Sequence, residues 1–456
     1  MPVKEQGLRG LRRRALVAAG VLALTGVLGA LAPGAHAAQA AHTAPAAGTD
    51  GAPGGAAGAL ELPEPTGPYR VGTLTRRLVD TKRQDPWRPR KGHHREVMVS
   101  FWYPAARAGW REAAPRTGRR ATAPQMDPRS AAHFGSPLGA GSFNYGIPAG
   151  RVDWSATRTH ARVNAPALQG TGIRPVVLYS SGLGDPRTWN TSLAEELASR
   201  GYVVVTMDHT YDSSEVRFPD GRLATSVLPD LARRSGTDVG AVLRKAMAAR
   251  VADARFVLDR LEDLRRHHGK APGSLPRGLA DAMDLRHVGM AGHSAGGFTA
   301  LQTLHDDRRV SAAVNMDGTL EYPTPGGGTQ LSDLARSGVD RPYLLMGTDS
   351  PDSGDYRRQP SWLSLWRHSR GWHTDLTLTG SRHAVYTDAA PLLTGLARRG
   401  VVGWETVGEA IGSVRGERAV GVTRAYVVSF LDRFLRGRDD GLLDGPSSRF
   451  PEMRFG

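Results

Sequence analysis

The sequence predicts an α/β fold in which helices cover both faces of a mostly parallel central sheet. From residue 175 onward, short apolar runs rich in Val and Leu alternate with helical patterns, as in repeated strand–helix units. The longest helical pattern, residues 238–266, carries one broad apolar face of the kind that packs on a sheet. A glycine-rich turn around Ser294 directly follows an apolar run and precedes another helical pattern.

The folded region is expected to begin near Gly67 with two strands, 71–79 and 96–103, separated by a polar, proline-containing stretch. A hairpin at a sheet edge is the simplest arrangement for this pair. Residues 104–172 follow with many Gly, Pro, Ala and Arg residues and no clear period. Because irregular segments of this length are often functional, we expect an insertion that forms a rim or lid over the site.

Four aromatic residues of this insertion have two interpretations of equal merit. Either they line a pocket for the acyl part of a substrate, or they anchor the insertion onto the body of the domain. These residues are Phe134, Phe143, Tyr145 and Trp154.

Strands and helices then alternate along the chain. Strands are predicted at 175–180, 202–207, 287–291, 310–316, 343–346 and 374–378. Helices are predicted at 191–199, 238–266, 295–305 and 423–435. Because helical crossovers join parallel strands, this alternation predicts one mostly parallel sheet and a single domain over residues 67–456.

The N-terminal 37 residues have the pattern of a secretory signal peptide. A basic start precedes the uncharged run Ala15 to Leu31, and Ala35-His36-Ala37 is a small-x-small cleavage site. Arg13-Arg14 is compatible with twin-arginine export. A retained membrane anchor is the alternative, but a 17-residue run with glycines is short for a spanning helix. We therefore expect a secreted protein, with residues 38–66 as a flexible Ala/Gly/Pro-rich linker.

Charge and composition exclude several classes of function. The chain has no cysteine, which excludes disulfides, thiol nucleophiles and thiolate metal sites. Its net charge is +15, and +11 without residues 1–37, which favours peripheral contact with anionic surfaces. The arginines are scattered among acidic residues, so no nucleic-acid partner is expected. Neither a metal nor a dinucleotide cofactor is predicted, and the pattern does not give the oligomeric state.

Residues 292–296, Gly-His-Ser-Ala-Gly, form the only G-x-S-x-G motif of the chain. In a chain with 56 glycines such a match can arise by chance, but the strand before it and the helix after it supply the context of a nucleophile elbow. The elbow lifts a serine hydroxyl out of the sheet, and the helix N-terminus behind it favours negative charge. Ser294 is therefore the predicted nucleophile.

A serine nucleophile needs a base, and in this kind of fold the histidine comes last in the chain. His383 lies in a small-residue loop after a late strand, where it projects over the carboxyl edge of the sheet. We prefer it to the other downstream histidines, which are His305, His368 and His373.

Two carboxylates compete to orient this histidine. Asp317 follows the strand 310–316, and Asp349 follows the strand around 343–346. Both strand ends point an acceptor toward the same edge of the sheet, and aspartates there also serve as turn caps. The residues alone leave the two candidates equal.

The oxyanion hole is predicted from a second glycine-rich turn. Residues 180–184, Ser-Ser-Gly-Leu-Gly, follow the strand around Tyr179 and expose backbone amides toward the nucleophile. The predicted donors are the amides of Leu183 and Ala295.

These motifs resemble one family. The sequence is similar to the plasma-type platelet-activating factor acetylhydrolases, and more narrowly to their bacterial secreted members, in Ser-Gly-Leu-Gly at 181–184, Gly-His-Ser-Ala-Gly-Gly at 292–297, Met-Asp-Gly at 316–318 and Gly-Ser-Arg-His at 380–383. The resemblance implies an α/β-hydrolase that cleaves short or oxidised acyl chains from esters without calcium. It also implies Asp317 as the acid, with Asp349 as the rival, and Leu183 and Ala295 as oxyanion donors.

The resulting expectation is a secreted serine carboxylic-ester hydrolase that acts on small-molecule or lipid esters. A polyesterase or lipase for longer or polymeric esters is one alternative, and the same residues also suit a peptidase. A non-catalytic hydrolase fold that serves as a binding protein is the other alternative.

Overall fold

The computed structural model describes residues 58–106, 122–170, 172–234, 236–268, 275–350 and 353–456. The predicted signal peptide and the part of the predicted linker before residue 58 lie outside these residues. In the part of the chain that the structure describes, no helix is both long and apolar enough to cross a lipid bilayer.

The strands form one large sheet and two small ones. Their bounds are β1 Val71–Gln84, β2 His94–Pro104, β3 Arg162–Val163, β4 Arg174–Ser180, β5 Val203–His209, β6 Glu215–Arg217, β7 Leu223–Thr225, β8 Met283–His293, β9 Val310–Met316, β10 Glu321–Thr324, β11 Gly328–Leu331, β12 Tyr343–Thr348, β13 His373–Leu378 and β14 Met453–Phe455. The order across the large sheet is β14-β13-β12-β9-β8-β4-β5-β2-β1-β3. The strands from β13 to β5 are parallel, whereas β2 and β14 pair antiparallel with β5 and β13. The predicted mostly parallel sheet is confirmed.

Helices lie on both faces of this sheet. They are α1 Pro128–Phe134, α2 Ala140–Phe143, α3 Thr191–Ser199, α4 Leu228–Arg233, α5 Val239–Arg266, α6 Leu279–Ala282, α7 Ala295–Asp306, α8 Asp333–Ser337, α9 Pro360–His368, α10 Ala389–Arg398, α11 Trp404–Ile411 and α12 Gly416–Arg436. Because neighbouring residues of a strand point to opposite faces, Val177 and Tyr179 pack in the core that holds α3, α10 and α12, whereas Val176 and Leu178 pack in the core that holds α5 and α7.

Two helices at the carboxyl edge of the sheet begin in different ways. Asp238 caps α5, because its side chain accepts a hydrogen bond from the amide of Ala241 at 2.9 Å. Ser294 precedes α7 and makes no such side-chain bond. The first amides of α7 are therefore left without a side-chain cap, beside the serine itself.

The contacts with the body begin earlier than the expected start near Gly67. Leu60 and Leu62 are buried in the core, and the Thr66 hydroxyl donates to Glu196 at 2.6 Å. These two leucines stand alone in a Pro-rich and Ala-rich stretch, where no strand or helix period marks them as core residues. The segment from Leu60 to Thr66 therefore belongs to the folded body rather than to a linker.

The described part of the insertion is less irregular than expected, with α1, α2, β3 and a short 3-10 helix. Phe134, Tyr145 and Trp154 are buried, with ring centroids 4.6, 5.0 and 5.7 Å from the ring of Trp189. Phe143 is half-buried. This aromatic cluster anchors the segment to the body, and none of its rings lines the cavity at Ser294.

Candidate active site

Ser294 occupies a strained turn between β8 and α7. Its φ of 56° lies in the left-handed region that residues with side chains rarely adopt, and its amide donates to the carbonyl of Met316 at 2.8 Å. A Cβ on Gly292 would lie 2.3 Å from the carbonyl of Gly296, and one on Gly296 would lie 1.9 Å from the carbonyl oxygen of Ser180. The turn therefore needs glycine on both sides of the serine, since the backbones approach too closely for any other residue.

Asp317 and His383 are in direct contact. The imidazole Nδ1 lies 2.6 Å from Oδ2 of Asp317, and a carboxylate acceptor there holds the proton on Nδ1. The Asp317 amide donates to the carbonyl of Met346 at 2.8 Å, and the hydroxyls of Thr348 and Ser353 donate to the carboxylate. The aspartate is thus fixed by β12 and the loop that follows it.

The second acid candidate lies elsewhere. Asp349 accepts hydrogen bonds from the amide of Gly380 at 3.2 Å and from Arg454 at 2.8 Å. It is exposed and is not among the hydrogen-bond partners of His383. The structure therefore brings Asp317, and not Asp349, to the imidazole.

The other candidate histidines have local partners. His305 contacts Asp306, the imidazole Nδ1 of His368 lies 2.8 Å from the carbonyl of Ser364, and the ring of His373 stacks on Tyr343. None of these three histidines lines the cavity that holds Ser294.

Opposing effects set the charges of the Asp317–His383 pair. Burial lowers the pKa of His383, but the hydrogen bond to Asp317 and the charges of Asp317 and Asp185 outweigh it, so the pKa lies above its usual value. Burial raises the pKa of Asp317, but the hydrogen bond and charge of His383 reverse this, so the pKa lies below its usual value. The pair therefore favours an ionised carboxylate beside an imidazole of increased basicity.

Ser294, Asp317 and His383 line one cavity with a volume of about 20 Å³. Its apolar wall is formed by Leu243, Met247, Phe298 and Tyr322. Thr319 and Glu321 also line it and add polar atoms. Among the described residues, the hydroxyl of Ser294 has no hydrogen-bond partner in this arrangement. Catalytic hydrogen bonds are often long until a substrate binds. The missing bond is therefore compatible with a contact between this hydroxyl and Nε2 of His383 during the reaction.

Two free amides lie near the serine. The turn after β4 contains Leu183, whose amide donates to none of the described residues, and Gly184 with a φ of 79°. The first bond within α7 runs from the amide of Phe298 to the carbonyl of Ser294 at 3.1 Å, which leaves the amide of Ala295 free. The turn and the first turn of α7 are close neighbours, since a Cβ on Gly296 would lie 2.7 Å from the carbonyl oxygen of Ser181.

The sequence motifs did not assign a role to His293. Its Nε2 lies 2.8 Å from the carbonyl oxygen of His383, and the two ring centroids are 4.6 Å apart. Burial, followed by the charge of His383, lowers the pKa of His293 to about 3. A neutral ring that donates from Nε2 therefore supports the backbone of the loop that carries His383. Its position inside the G-x-S-x-G motif was the only available signal.

Within the described residues, no group of three or more His, Cys, Asp or Glu side chains is arranged to hold a metal ion. The polar groups that converge on the cavity are those of acid–base and nucleophilic chemistry.

Comparisons with known proteins identify esterases and acetylhydrolases that are similar to this chain. The family described as platelet-activating factor acetylhydrolase, isoform II, matches residues 150–395. A protein of Arthroderma benhamiae named probable 1-alkyl-2-acetylglycerophosphocholine esterase is 29% identical over 62% of this chain and 66% of its own length. The canine platelet-activating factor acetylhydrolase is 26% identical over 43% of this chain and 44% of its own length.

The alignments therefore cover just under two thirds of the fungal relative and less than half of the canine one. Among solved structures, the ferulic acid esterase from Streptomyces cinnamoneus is 35% identical, with a TM-score of 0.66 over 88% of this chain and 99% of that one. The fold is that of the α/β-hydrolases, as the elbow and the strand order indicate. On the match over residues 150–395, this chain belongs to the platelet-activating factor acetylhydrolase family, isoform II.

Proposed function

We propose that the chain is a serine carboxylic-ester hydrolase in which Ser294 is the nucleophile, His383 the base and Asp317 the residue that orients the base. The observation that carries the proposal is the 2.6 Å contact between His383 and Asp317 at a cavity that Ser294 also lines. The strained turn at Ser294 and the family membership support it.

The reaction follows from the positions of these groups. His383 takes the proton of the Ser294 hydroxyl through Nε2, and the serine oxygen attacks the ester carbonyl. The amides of Leu183 and Ala295 stabilise the oxyanion, and the imidazolium then protonates the leaving alcohol. A water molecule activated by His383 releases the acid and restores the serine. Throughout, Asp317 holds the Nδ1 proton and stabilises the imidazolium.

We propose small acyl groups as the substrate class, since the cavity holds little more than a water-sized group without movement of its walls. A fungal relative is named for the 2-acetyl ester of a glycerophosphocholine, and the solved relative for ferulic acid esters. Esters of short acids with a lipid or other small alcohol fit the name of the Arthroderma benhamiae relative and the cavity, whereas ferulic acid is a larger aromatic acid. Rates on a series of p-nitrophenyl esters from acetate to palmitate separate this proposal from a lipase or polyesterase.

The decisive experiment is Ser294→Ala. If the triad acts as a unit, kcat falls by roughly 10⁶ and covalent labelling by a fluorophosphonate probe disappears. Wild-type protein that neither hydrolyses esters nor takes up the probe would favour the binding-protein alternative. Hydrolysis retained in Ser294→Ala would exclude this serine as nucleophile.

We also propose export of the protein, on the pattern of residues 1–37 alone. Sequencing the N-terminus of protein recovered outside the cell tests it, with Ala38 expected as the first residue.

A further inference from the structure

We propose that Arg250 and Asp212 are positioning residues that aim the oxyanion amide of Leu183. The inference rests on the proposed function, because it concerns a donor of that oxyanion hole. Neither side chain touches the cavity at Ser294, so the role is exerted through the turn of residues 180–184.

Arg250 is a fully buried residue of α5, and its guanidinium forms a two-pronged pair with Asp212. Nε donates to Oδ2 at 2.7 Å, and Nη2 donates to Oδ1 at 2.6 Å. The pair neutralises both charges away from water, a condition that buried ions require. Such a fork leaves the remaining guanidinium donors pointing in fixed directions.

Those remaining donors all go to the oxyanion turn. Nη1 donates to the carbonyl of Ser181 at 2.6 Å and to the hydroxyl of Ser180 at 3.3 Å. Nη2 donates to the carbonyl of Gly182 at 2.9 Å. Oδ1 of Asp212 accepts from the amide of Gly184 at 3.2 Å. One ion pair thus holds polar groups of Ser180, Ser181, Gly182 and Gly184, on both sides of Leu183.

The bond to Gly182 has a direct consequence for Leu183. The carbonyl of Gly182 and the amide of Leu183 belong to one planar trans peptide, in which the C=O and N–H bonds point in opposite directions. When Arg250 holds the carbonyl, the amide of Leu183 is turned away from Arg250. That amide has no partner among the described residues, as expected for a donor kept free for the oxyanion.

The test is Arg250→Lys, because lysine keeps the charge and loses the fork that reaches several acceptors. Removing one oxyanion donor typically costs about 10²–10³ in kcat, so a misaimed donor is expected to cost about 10–100-fold. KM for a p-nitrophenyl ester should change less than about threefold. The inhibition constant of a trifluoromethyl ketone, which forms a tetrahedral adduct, should rise in proportion to the loss in kcat.

Arg424→Lys is the matched control. Arg424 is also buried and also donates to backbone carbonyls, those of Glu64 at 2.7 Å and of Pro63 and Ser192 at 2.9 Å. It has no contact with the oxyanion turn. We expect this variant to lose thermal stability while its kcat stays within about twofold of wild type.

Asp212→Asn provides the second test and decides the question if Arg250→Lys does not fold. The substitution weakens the ion pair with Arg250 but keeps a side-chain oxygen that accepts from the amide of Gly184. We therefore expect kcat to fall about tenfold with little change in KM. The inference is overturned if a folded Arg250→Lys or Asp212→Asn variant has wild-type kcat, or if the control loses as much kcat as Arg250→Lys. A wild-type protein without esterase activity would instead refute the proposed function.

A different observation carries a second inference, on the substrate. Glu321 lines the cavity with Ser294, and its side chain is 5% exposed. Oε2 of Glu321 is buried and has no hydrogen-bond partner among the described residues, and the same is true of the hydroxyl of Thr319. Burial raises the pKa of Glu321 against the opposing hydrogen bonds of Gln359 and Thr329. A buried polar atom left unpaired is costly unless a ligand supplies the partner.

We infer that Glu321 accepts a hydrogen bond from a hydroxyl group on the acyl part of the substrate, so that hydroxyacyl esters are favoured over plain ones. The inference rests on the proposed function, since it names the acyl group that enters the same cavity. Acceptance by a buried carboxyl group is strong enough to discriminate a hydroxyl from a methyl group.

Hydroxyacetyl and propionyl esters of the same alcohol test this, because they differ only by a hydroxyl in place of a methyl group. The ratio of their kcat/KM values removes the contribution of the alcohol, which the two esters share. Comparison of this ratio between wild type and a variant removes the difference in intrinsic reactivity between the two esters. Glu321→Leu should lower this ratio by about tenfold or more. Thr319→Val, at a neighbouring position, should lower it less.

An unchanged ratio in folded Glu321→Leu would mean that water satisfies the carboxyl group, and it would overturn the inference. If that variant does not fold, Glu321→Met replaces it, because methionine also removes the carboxyl acceptor, and an unchanged ratio there has the same meaning. Propionyl hydrolysis that persists in these variants shows that the proposed function stands independently of the outcome.

Discussion

At the scale of single residues, Asp317 and His383 stabilise each other's proposed working states. A buried carboxyl group alone would be harder to ionise, and a half-buried imidazole alone would be a weaker base. Their 2.6 Å contact reverses both effects, since the pKa of Asp317 lies below and that of His383 above the usual value. The hydroxyls of Thr348 and Ser353 add donors to the same carboxylate.

Two amide substitutions distinguish the acid candidates. Asp317→Asn should lower kcat by about 10⁴, because an amide at this position no longer fixes the imidazole tautomer. Asp349→Asn should change kcat less than about threefold, since Asp349 bonds Gly380 and Arg454 at the surface. Steady-state kinetics on one p-nitrophenyl ester measures both. The reverse order of losses would assign the role to Asp349.

The activity should depend on pH through His383. The base must be neutral, and its pKa lies above the usual 6.5, so kcat/KM should fall as the pH decreases through a value above 6.5. Asp317→Asn removes the hydrogen bond and charge that raise this pKa, so its residual activity should persist to lower pH. Rate profiles of wild type and variant, with thermal unfolding at each pH as the control, measure the shift. An acid limb below 6.5 in the wild type would contradict the upward shift of the His383 pKa.

At the scale of secondary-structure elements, the site depends on how closely α7 packs against the end of β4. Gly296 allows this approach, since a Cβ there would lie 1.9 Å from the carbonyl oxygen of Ser180. Gly421, in the second turn of α12, is also a helical glycine but has open space around it. These two glycines provide a matched pair.

Gly296→Ala should destabilise the fold by several kcal/mol, because the clash is with backbone and cannot be relieved by a rotamer change. Gly421→Ala should leave stability unchanged or raise it by up to about 1 kcal/mol, as expected for alanine in a helix. Urea unfolding monitored by circular dichroism gives both values. Equal stability of the two variants would contradict the close approach.

The elements that sequence patterns predicted well are those with strong periodicity. The predicted strand 310–316 and helix 191–199 agree with the structure, and the helix predicted at 238–266 matches α5 to within one residue. The patterns missed α10, α11 and β14, of which β14 has only three residues. The predicted closing helix was also too short, since α12 begins at Gly416. Short elements and frayed ends carry little periodicity, so tertiary contacts decide them.

The residues of the candidate site also divide into those that the sequence predicts and those that only tertiary contacts identify. Ser294 lies in a local motif, so its turn was predictable from adjacent residues. The choice between Asp317 and Asp349 was not, because both follow parallel strands and only the third dimension separates them. Arg250 lies on α5, far along the chain from the turn that it holds, and no spacing rule connects them. The Ser294→Ala variant therefore follows from the sequence alone, whereas the variants at Arg250 and Glu321 follow only from the structure.

At the scale of the whole molecule, the first described residues join distant parts of the body. Leu60 and Leu62 enter the core on the face of α10 and α12. Arg424 of α12 donates to the carbonyls of Pro63 and Glu64, and the amide of Thr66 donates to Glu196 of α3 at 2.7 Å. This segment therefore acts as a strap across two helices.

A chain that starts at residue 67 should be less stable than one that starts at residue 58. Each buried leucine contributes about 1.5–3 kcal/mol, so the loss of both should cost about 3 kcal/mol or more and lower the melting temperature by several degrees. Differential scanning calorimetry of the two chains measures it, and Leu60→Ala with Leu62→Ala in the longer chain separates the core contacts from the strap's hydrogen bonds. Identical melting temperatures would show that the strap is dispensable.

The aromatic cluster around Trp189 bears on how the protein meets a lipid phase. Lipases with a mobile lid have low activity on monomeric substrates and become active at a lipid–water interface. Here the described part of the insertion is pinned by Phe134, Tyr145 and Trp154, whose rings lie between 4.6 and 5.7 Å from that of Trp189. Because these contacts hold the segment to the body, hydrolysis should rise smoothly as an amphiphilic ester passes its critical micelle concentration, without interfacial activation.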